Sequence, residues 1–390
     1  MASLPLLDSA DLAPHVCTPS ASCKCSVAHA GPAGATRNGE DAGATAVTKP
    51  LAGIARLAAQ GEHIRDGHNV EYFTLAARSI LNRCTTARMP FTWTINPYRG
   101  CEFACKYCYA RYTHEFMELG DLEFEQKIYV KQQAAWLLRQ ELRKVKPHEE
   151  IAIGTATDPY QPAEKRYEVT RSLLEVFAER QGLNIGIVTK SNLVVRDLDL
   201  LRQIASANKL YVNLTVTTTD ARLARILEPR APRPDLRLEA VTELVANGVP
   251  AGVIVAPVVP GIADAPQQLE AVVRATAEAG GLHIFANPLF LKPCSASVFL
   301  PFLEQEFPQL VEEYRKRYEG RAFVSSAYRK RISALMAALR RKYGFVSRDD
   351  RKRPVEVARE KSGGCGTAGR KKEFKPLPEV PLLDDQMRLF

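Results

Sequence analysis

Between residues 91 and 290, short β-branched apolar runs alternate with stretches of helical period, and this alternation narrows the fold more than any other feature. The runs are TWTIN (92–96), IAIGT (151–155), IGIVT (185–189), LYVNLTV (210–216), AGVIVAP (251–257) and LHIFANP (282–288). Between them, KIYVKQQAAWLLRQELRKV places apolar residues at helical spacing. TRSLLEVFAER and DLDLLRQIA open on Thr170 and Asp197, both good N-caps, and DARLARILEP runs from Asp220 to a stop at Pro229. Strands that alternate with helices build βα units and a parallel sheet. The expected fold class is therefore α/β, and six units fit a partial (βα)6 parallel barrel. A doubly wound open sheet is the rival, but no glycine-rich phosphate loop follows the first strand. In βα barrels chemistry collects in the loops after the C-terminal ends of the strands.

The rest of the chain divides around this core. Residues 1–50, rich in Ala, Gly, Ser, Pro and Thr, are expected to be disordered, and hold Cys17, Cys23 and Cys25. Residues 51–90 form a lead-in. Residues 291–345 form a helical extension (FLPFLEQEFPQLVEEYRKRY, SAYRKRISALMAALRRKYG), and residues 346–390 a flexible tail. The net charge of +9 is uneven: 20 of the 53 Lys and Arg lie between Arg315 and Lys375, against 6 of the 44 Asp and Glu. Such a basic cluster suits a polyanion such as nucleic acid; a solvated helix face carries the same signature. The N-terminus lacks a basic, apolar secretory pattern, and the longest apolar run, VPAGVIVAPVV (249–259), is too short to span a membrane. The expected location is the cytoplasm, without membrane attachment. Thiols stay reduced there, so nine cysteines point to metal or catalysis more than to disulfides.

Three of those cysteines, Cys101, Cys105 and Cys108, stand at C-x3-C-x2-C spacing in NPYRGCEFACKYCYARYTH (96–114), directly after the first expected strand. Thiolates in a polar loop are soft metal ligands. Two metal readings stay open: a closed Cys3His zinc site completed by His114, or a four-iron cluster held by three cysteines with one iron left open for a substrate or cofactor.

With Tyr107 before the last cysteine, this motif resembles the signature of the radical S-adenosylmethionine (SAM) superfamily. GTATDPYQPAEKRYEVTRSLLEV (154–176), IVTKSNLVVRDLDLL (187–201), LTVTTTDARLARILEPRAP (214–232) and PVVPGIADA (257–265) resemble its spore photoproduct lyase-like group, over about residues 70–345 and closest to a subgroup of unsettled reaction. The resemblance implies a four-iron four-sulfur cluster on the three cysteines, SAM on its open iron, and hydrogen abstraction from a substrate after SAM cleavage. It implies SAM contacts from Tyr107, from the backbone of Gly154, Thr155 and Ala156, from Lys190 to the SAM carboxylate and from Thr217 near the ribose. It offers Tyr109 as a hydrogen-atom relay and Asp158 and Tyr160 as catalytic-face groups. Glu228 and Arg230 are expected to form a structural ion pair at a helix end. Spore photoproduct lyases carry a hydrogen-donating cysteine in the loop after the second strand. Here that loop reads TATDPYQP and has none; Cys294, after the sixth strand, is a substitute donor in this reading, a ligand, or a plain buried thiol.

The implied function is a radical SAM enzyme, lyase-like, acting on DNA or another nucleic acid as in repair. The alternatives are a peptide or small-molecule substrate, or a zinc-stabilised nucleic-acid binder without catalysis. An electron donor such as flavodoxin or ferredoxin is implied. The last residues, DDQMRLF, resemble peptides that dock on the bacterial sliding clamp, which would make Gln386, Met387, Leu389 and Phe390 the contacts.

Overall fold

In the computed structural model, residues 51–85 and 89–345 are described. Cys17, Cys23, Cys25, Cys365 and the clamp-like residues Gln386, Met387, Leu389 and Phe390 lie outside them. All six apolar runs form strands, here numbered β1 (Trp93–Ile95), β2 (Glu150–Ile153), β3 (Asn184–Thr189), β4 (Lys209–Thr215), β5 (Ala251–Val258) and β6 (Ile284–Pro288). They pair in sequential order, each parallel to the next, with Leu81–Arg83 added antiparallel to β1 at the edge. This is the partial (βα)6 barrel. Every second strand residue turns outward: Ile185, Ile187, Val212, Leu214, Val253 and Val255 are fully buried in one core with residues of the surrounding helices.

Those helices are α1 (Ala134–Glu141), α2 (Val169–Ala178), α3 (Leu198–Ala207), α4 (Pro234–Ala246) and α5 (Pro266–Glu278). α2 buries Leu173, Leu174, Val176 and Phe177 along one side, the amphipathic stripe its sequence predicts. Asp220 caps the short helix Ala221–Leu227 by accepting from the Arg222 and Leu223 amides. The other two expected caps fail: Thr170 lies inside α2 with its hydroxyl donating to Pro159 O, and Asp197 makes no cap hydrogen bond, its carboxylate being held instead by Arg171 and Arg196.

Beyond β6 the chain is helical, as expected: α6 (Pro293–Glu306), α7 (Val311–Tyr318) and α8 (Ser326–Lys342). α8 packs on β6 and α5 through Tyr328, Ile332, Met336 and Leu339, which recur at helical spacing. Part of its basic face is neutralised in place: Arg331 pairs with Asp264 and Lys342 with Glu270. Among the described residues no helix is long and apolar enough to cross a membrane.

Two expectations change. KIYV does not begin a helix; Lys127–Val130 is a strand, and α1 starts at Ala134. Its residues Ile128, Tyr129 and Val130 are β-formers buried on both faces, a pattern that a short helical period imitates. The lead-in is also structured: a hairpin of His63–Gly67 and Val70–Thr74 joins Lys127–Val130 and Tyr98–Arg99 in a second, four-stranded sheet. Tyr98–Arg99 and Lys127–Val130 pair antiparallel, so the whole cysteine loop leaves and re-enters the fold at one closed base.

Candidate active site around the cysteine loop

The loop begins at Gly100, whose φ of +84° lies in the left-handed region. A Cβ there would stand 2.6 Å from the Lys127 carbonyl and 2.9 Å from the Phe124 carbonyl, so only glycine fits. Past it the backbone is fastened on every side. The Cys101 amide donates to Phe124 O at 3.0 Å, the Lys106 amide to Leu227 O at 3.0 Å, and the Arg230 amide to Phe103 O at 3.2 Å. Arg111, with no exposed surface, donates to Cys105 O at 3.3 Å and to Asp121 O at 2.7 Å and pairs with Glu125.

The loop after β2 clamps the same segment. Gln161 accepts from the Glu102 amide at 3.0 Å and donates to Gly100 O at 3.2 Å, while Thr157 donates to Gly100 O at 2.6 Å. Glu102 in turn accepts from the Ala163 amide at 2.7 Å and from the Tyr72 hydroxyl at 3.0 Å. Gln161 is thus a brace between two loops.

Cys101 and Cys105 are buried and Cys108 is half-buried, all three as free thiols. Burial pushes each thiol up, Cys105 to about 12. Burial thus disfavours a free thiolate, and three soft sulfur donors in a closed loop fit a metal cluster, whose positive charge would offset that cost. Among the described residues, no three His, Cys, Asp or Glu side chains converge on one metal ion. Cluster thiolates ligate separate irons and need no such convergence. The zinc reading finds no closed site either: His114, buried with Nε2 on Lys127 O at 3.1 Å and its ring edge-on against Phe124 and Tyr129, does not converge with the three cysteines on one ion among the described residues.

Three of the expected cofactor contacts meet in one buried group. The Tyr107 hydroxyl bonds the Glu228 carboxylate and lies 3.3 Å from the Thr217 hydroxyl, and Thr217 donates to Glu228 at 2.9 Å. The Lys190 ammonium stands 5.8 Å from the centre of the Tyr107 ring. Burial opposes its charge, but Cys105 and Glu228 outweigh that and hold the ammonium above its ordinary value. Glu228 is likewise kept ionised against burial by Arg237 and Lys190. The expected Glu228–Arg230 pair is not formed: Glu228 pairs with Arg237, and Arg230 donates to Glu125 O at 3.5 Å.

Gly154, Thr155 and Ala156 follow β2 at the catalytic end. Gly154 has φ +86°, and a Cβ would meet the Val188 carbonyl at 2.4 Å. The Gly154 amide donates to Ile95 O, the Ala156 amide to the Asn96 side chain at 2.8 Å, and Thr155 O accepts from the Tyr109 hydroxyl. A carbonyl has two lone pairs, so the bond from Tyr109 does not exhaust Thr155 O as an acceptor.

Two catalytic expectations give way to architecture. Asp158 uses both carboxylate oxygens on the protein, accepting from Thr189 at 2.6 Å and from the Lys190 and Tyr160 amides at 2.7 and 2.9 Å, and so ties the β2 loop to the end of β3. Tyr160 is 1% exposed and packs within the main core. Cys294 is buried in the first turn of α6, beside Ser295 and Glu115.

A model of the radical SAM superfamily matches residues 95–272. An uncharacterized protein of Mycobacterium tuberculosis is 33% identical over 291 residues, covering 74% of this chain and 85% of its own. An uncharacterized protein of Methanocaldococcus jannaschii is 30% identical over 220 residues, 56% of this chain and 78% of its own. Among solved structures, spore photoproduct lyase with bound AdoMet and dinucleoside spore photoproduct superposes with a TM-score of 0.54 at 17% identity, over 70% of this chain and 79% of that one.

Proposed function

The chain belongs to the radical SAM superfamily, and from that premise we propose that Cys101, Cys105 and Cys108 hold its four-iron four-sulfur cluster and that the enzyme acts on a nucleic acid. When bound, the cluster and SAM supply an electron and a deoxyadenosyl radical that takes a hydrogen atom from the substrate. The observation that carries the reading is the meeting of the braced cysteine loop, through its Tyr107, with Thr217 and Lys190 at the ends of the barrel strands. Lys190 pairs with the SAM carboxylate. The carbonyls after β2 take the SAM amino group. Tyr107 and Thr217, fixed by Glu228, wall the adenosine side. Tyr109, next to the last cysteine, is placed to relay a hydrogen atom.

Support for a nucleic-acid substrate comes from the lyase of the same fold, seen with a dinucleoside photoproduct, and from exposed basic residues of the extension, Lys316, Arg321, Lys330 and Arg341. Reversal of a thymine photoproduct itself is not the proposed reaction, because the loop after β2 has no cysteine. Cys294, against Glu115, is the donor candidate that this chain offers in its place. A low-potential donor such as flavodoxin or ferredoxin delivers the electron, and the cytoplasm is the proposed site of action.

Anaerobic purification tests the cluster. A brown protein with about four irons per chain is expected, forming 5′-deoxyadenosine with dithionite and SAM, and Cys105→Ala abolishes both. A colourless protein with stoichiometric zinc would refute it. DNA and RNA affinity that falls steeply with salt supports the substrate class; a flat dependence argues for a peptide or small molecule.

A further inference from the structure

Five aromatic rings from three separate segments form one continuous row at the barrel mouth. Tyr109, Tyr112 and Phe116 lie three and four residues apart in the helical turns after Cys108, so they share a face. Tyr109 and Tyr112 stack with centroids 6.4 Å apart, and Phe116 meets Tyr112 edge-on at 5.7 Å. Phe290, just past β6, lies 6.1 Å from Tyr109, and Phe323 lies 4.6 Å from Phe290, brought there by a bridge between the two residues. The row is open to water: Phe116 is 60% exposed, Phe323 47% and Tyr109 40%. Large aromatics left out of a core in a contiguous group mark a binding surface.

Its charge is cationic. The Lys292 ammonium sits 4.0 Å from the Tyr112 ring centre and 5.9 Å from that of Phe290. Arg99, donating to the Thr113 carbonyl at 3.2 Å, lies beside Tyr112. The one carboxylate of the turns Tyr109–Glu115 is Glu115, and it faces Cys294. The exposed rings, Phe116 and Phe323 above all, in a row that carries a cation match unstacked bases on a phosphate backbone. An intact duplex presents no base faces to such a row.

Resting on the nucleic-acid reading above, we infer that this row is a stacking platform for single-stranded or extruded bases, leading the strand to Tyr109 and the cluster loop. The enzyme therefore takes unpaired nucleic acid in preference to duplex.

The test uses the full chain with its cluster reconstituted, and a short oligothymidylate as probe. Comparators are a duplex of the same length, inorganic polyphosphate of equal charge, and an unstructured acidic peptide containing tyrosine. The oligothymidylate should bind most tightly. Phe116→Ala and Phe323→Ala should each weaken it about tenfold, with the salt slope and substrate-free SAM cleavage unchanged. Lys292→Gln should lower the salt slope by about 0.7, the loss of one phosphate contact. Wild-type affinity in both Phe variants, equal competition by polyphosphate, or preferential binding of the peptide through Phe116 and Phe323 would overturn the platform. In the first two of these cases a nucleic-acid substrate still stands. Salt-independent binding of every nucleic acid would instead remove the substrate reading, and the platform with it.

Discussion

The Glu228 carboxylate and the Arg237 guanidinium stand 2.5 Å apart with both side chains 1% exposed. The pair joins the end of the short helix Ala221–Leu227 to α4, and Glu228 carries the Tyr107 and Thr217 hydroxyls on its other oxygen. Arg237 also donates to Thr215 O at 2.9 Å and Pro232 O at 2.8 Å. A structural ion pair thus doubles as the mount of the Tyr107 and Thr217 hydroxyls.

Removing the cation leaves a buried carboxylate unpaired. Arg237→Met should cost about 3–5 kcal/mol in chemical denaturation. Glu228→Gln, which keeps a hydrogen-bond acceptor, should cost less but weaken SAM binding. A stability loss in Arg237→Met no larger than that of an exposed arginine variant would contradict the pairing.

Gly100→Ala forces a left-handed alanine, costing about 1–2 kcal/mol from conformation alone, and adds overlap with the Lys127 and Phe124 carbonyls. The loop must shift to relieve it. Iron content after reconstitution should fall while far-ultraviolet circular dichroism stays close to wild type. Gly182→Ala, where an added Cβ meets nothing, serves as control for left-handed glycine.

Lys190→Gln should raise the SAM dissociation constant about tenfold or more, the loss of one charge-assisted bond. Lys190→Arg should restore part of it. Cluster absorbance should match wild type in both, separating a role toward SAM from a role in holding iron.

Lys131 is 5% exposed and donates to Asn96 O at 2.6 Å. Burial, with Arg99 nearby, pulls its ammonium down to about 7 from 10.5. Between about pH 7 and pH 10.5 the unfolded chain therefore binds more protons than the folded one, so stability gains with rising pH, by at most about 1.4 kcal/mol per unit. Below pH 7 both states hold the proton and this contribution is flat. Lys131→Met should remove that slope from a series of denaturation curves across the window.

Much of the fold was legible because buried parallel strands announce themselves as β-branched runs. β1 to β6 fall within a residue or two of the runs that signalled them. KIYV failed because four apolar-rich residues joined to α1 continue a helical period while pairing as a strand. The triplet was readable from spacing alone, but its supports were not. Gln161, Asn96 and Arg111 act through hydrogen bonds to backbone dozens of residues away or to the far side of their own loop, and no local pattern encodes such bonds. Glu228 seemed to pair with Arg230 because they are neighbours in sequence; helix α4 supplied a better partner from further on. Tyr112, unassigned in sequence, acquires a setting only once Phe290 and Lys292 are folded beside it.

The closed base at Tyr98–Arg99 and Lys127–Val130 makes the cysteine segment a cartridge. Both ends stay seated by strand pairing, and its entrance by Gln161 and Thr157, none of which depends on metal. Loss of the proposed cluster would therefore leave these protein-to-protein fastenings of the segment in place.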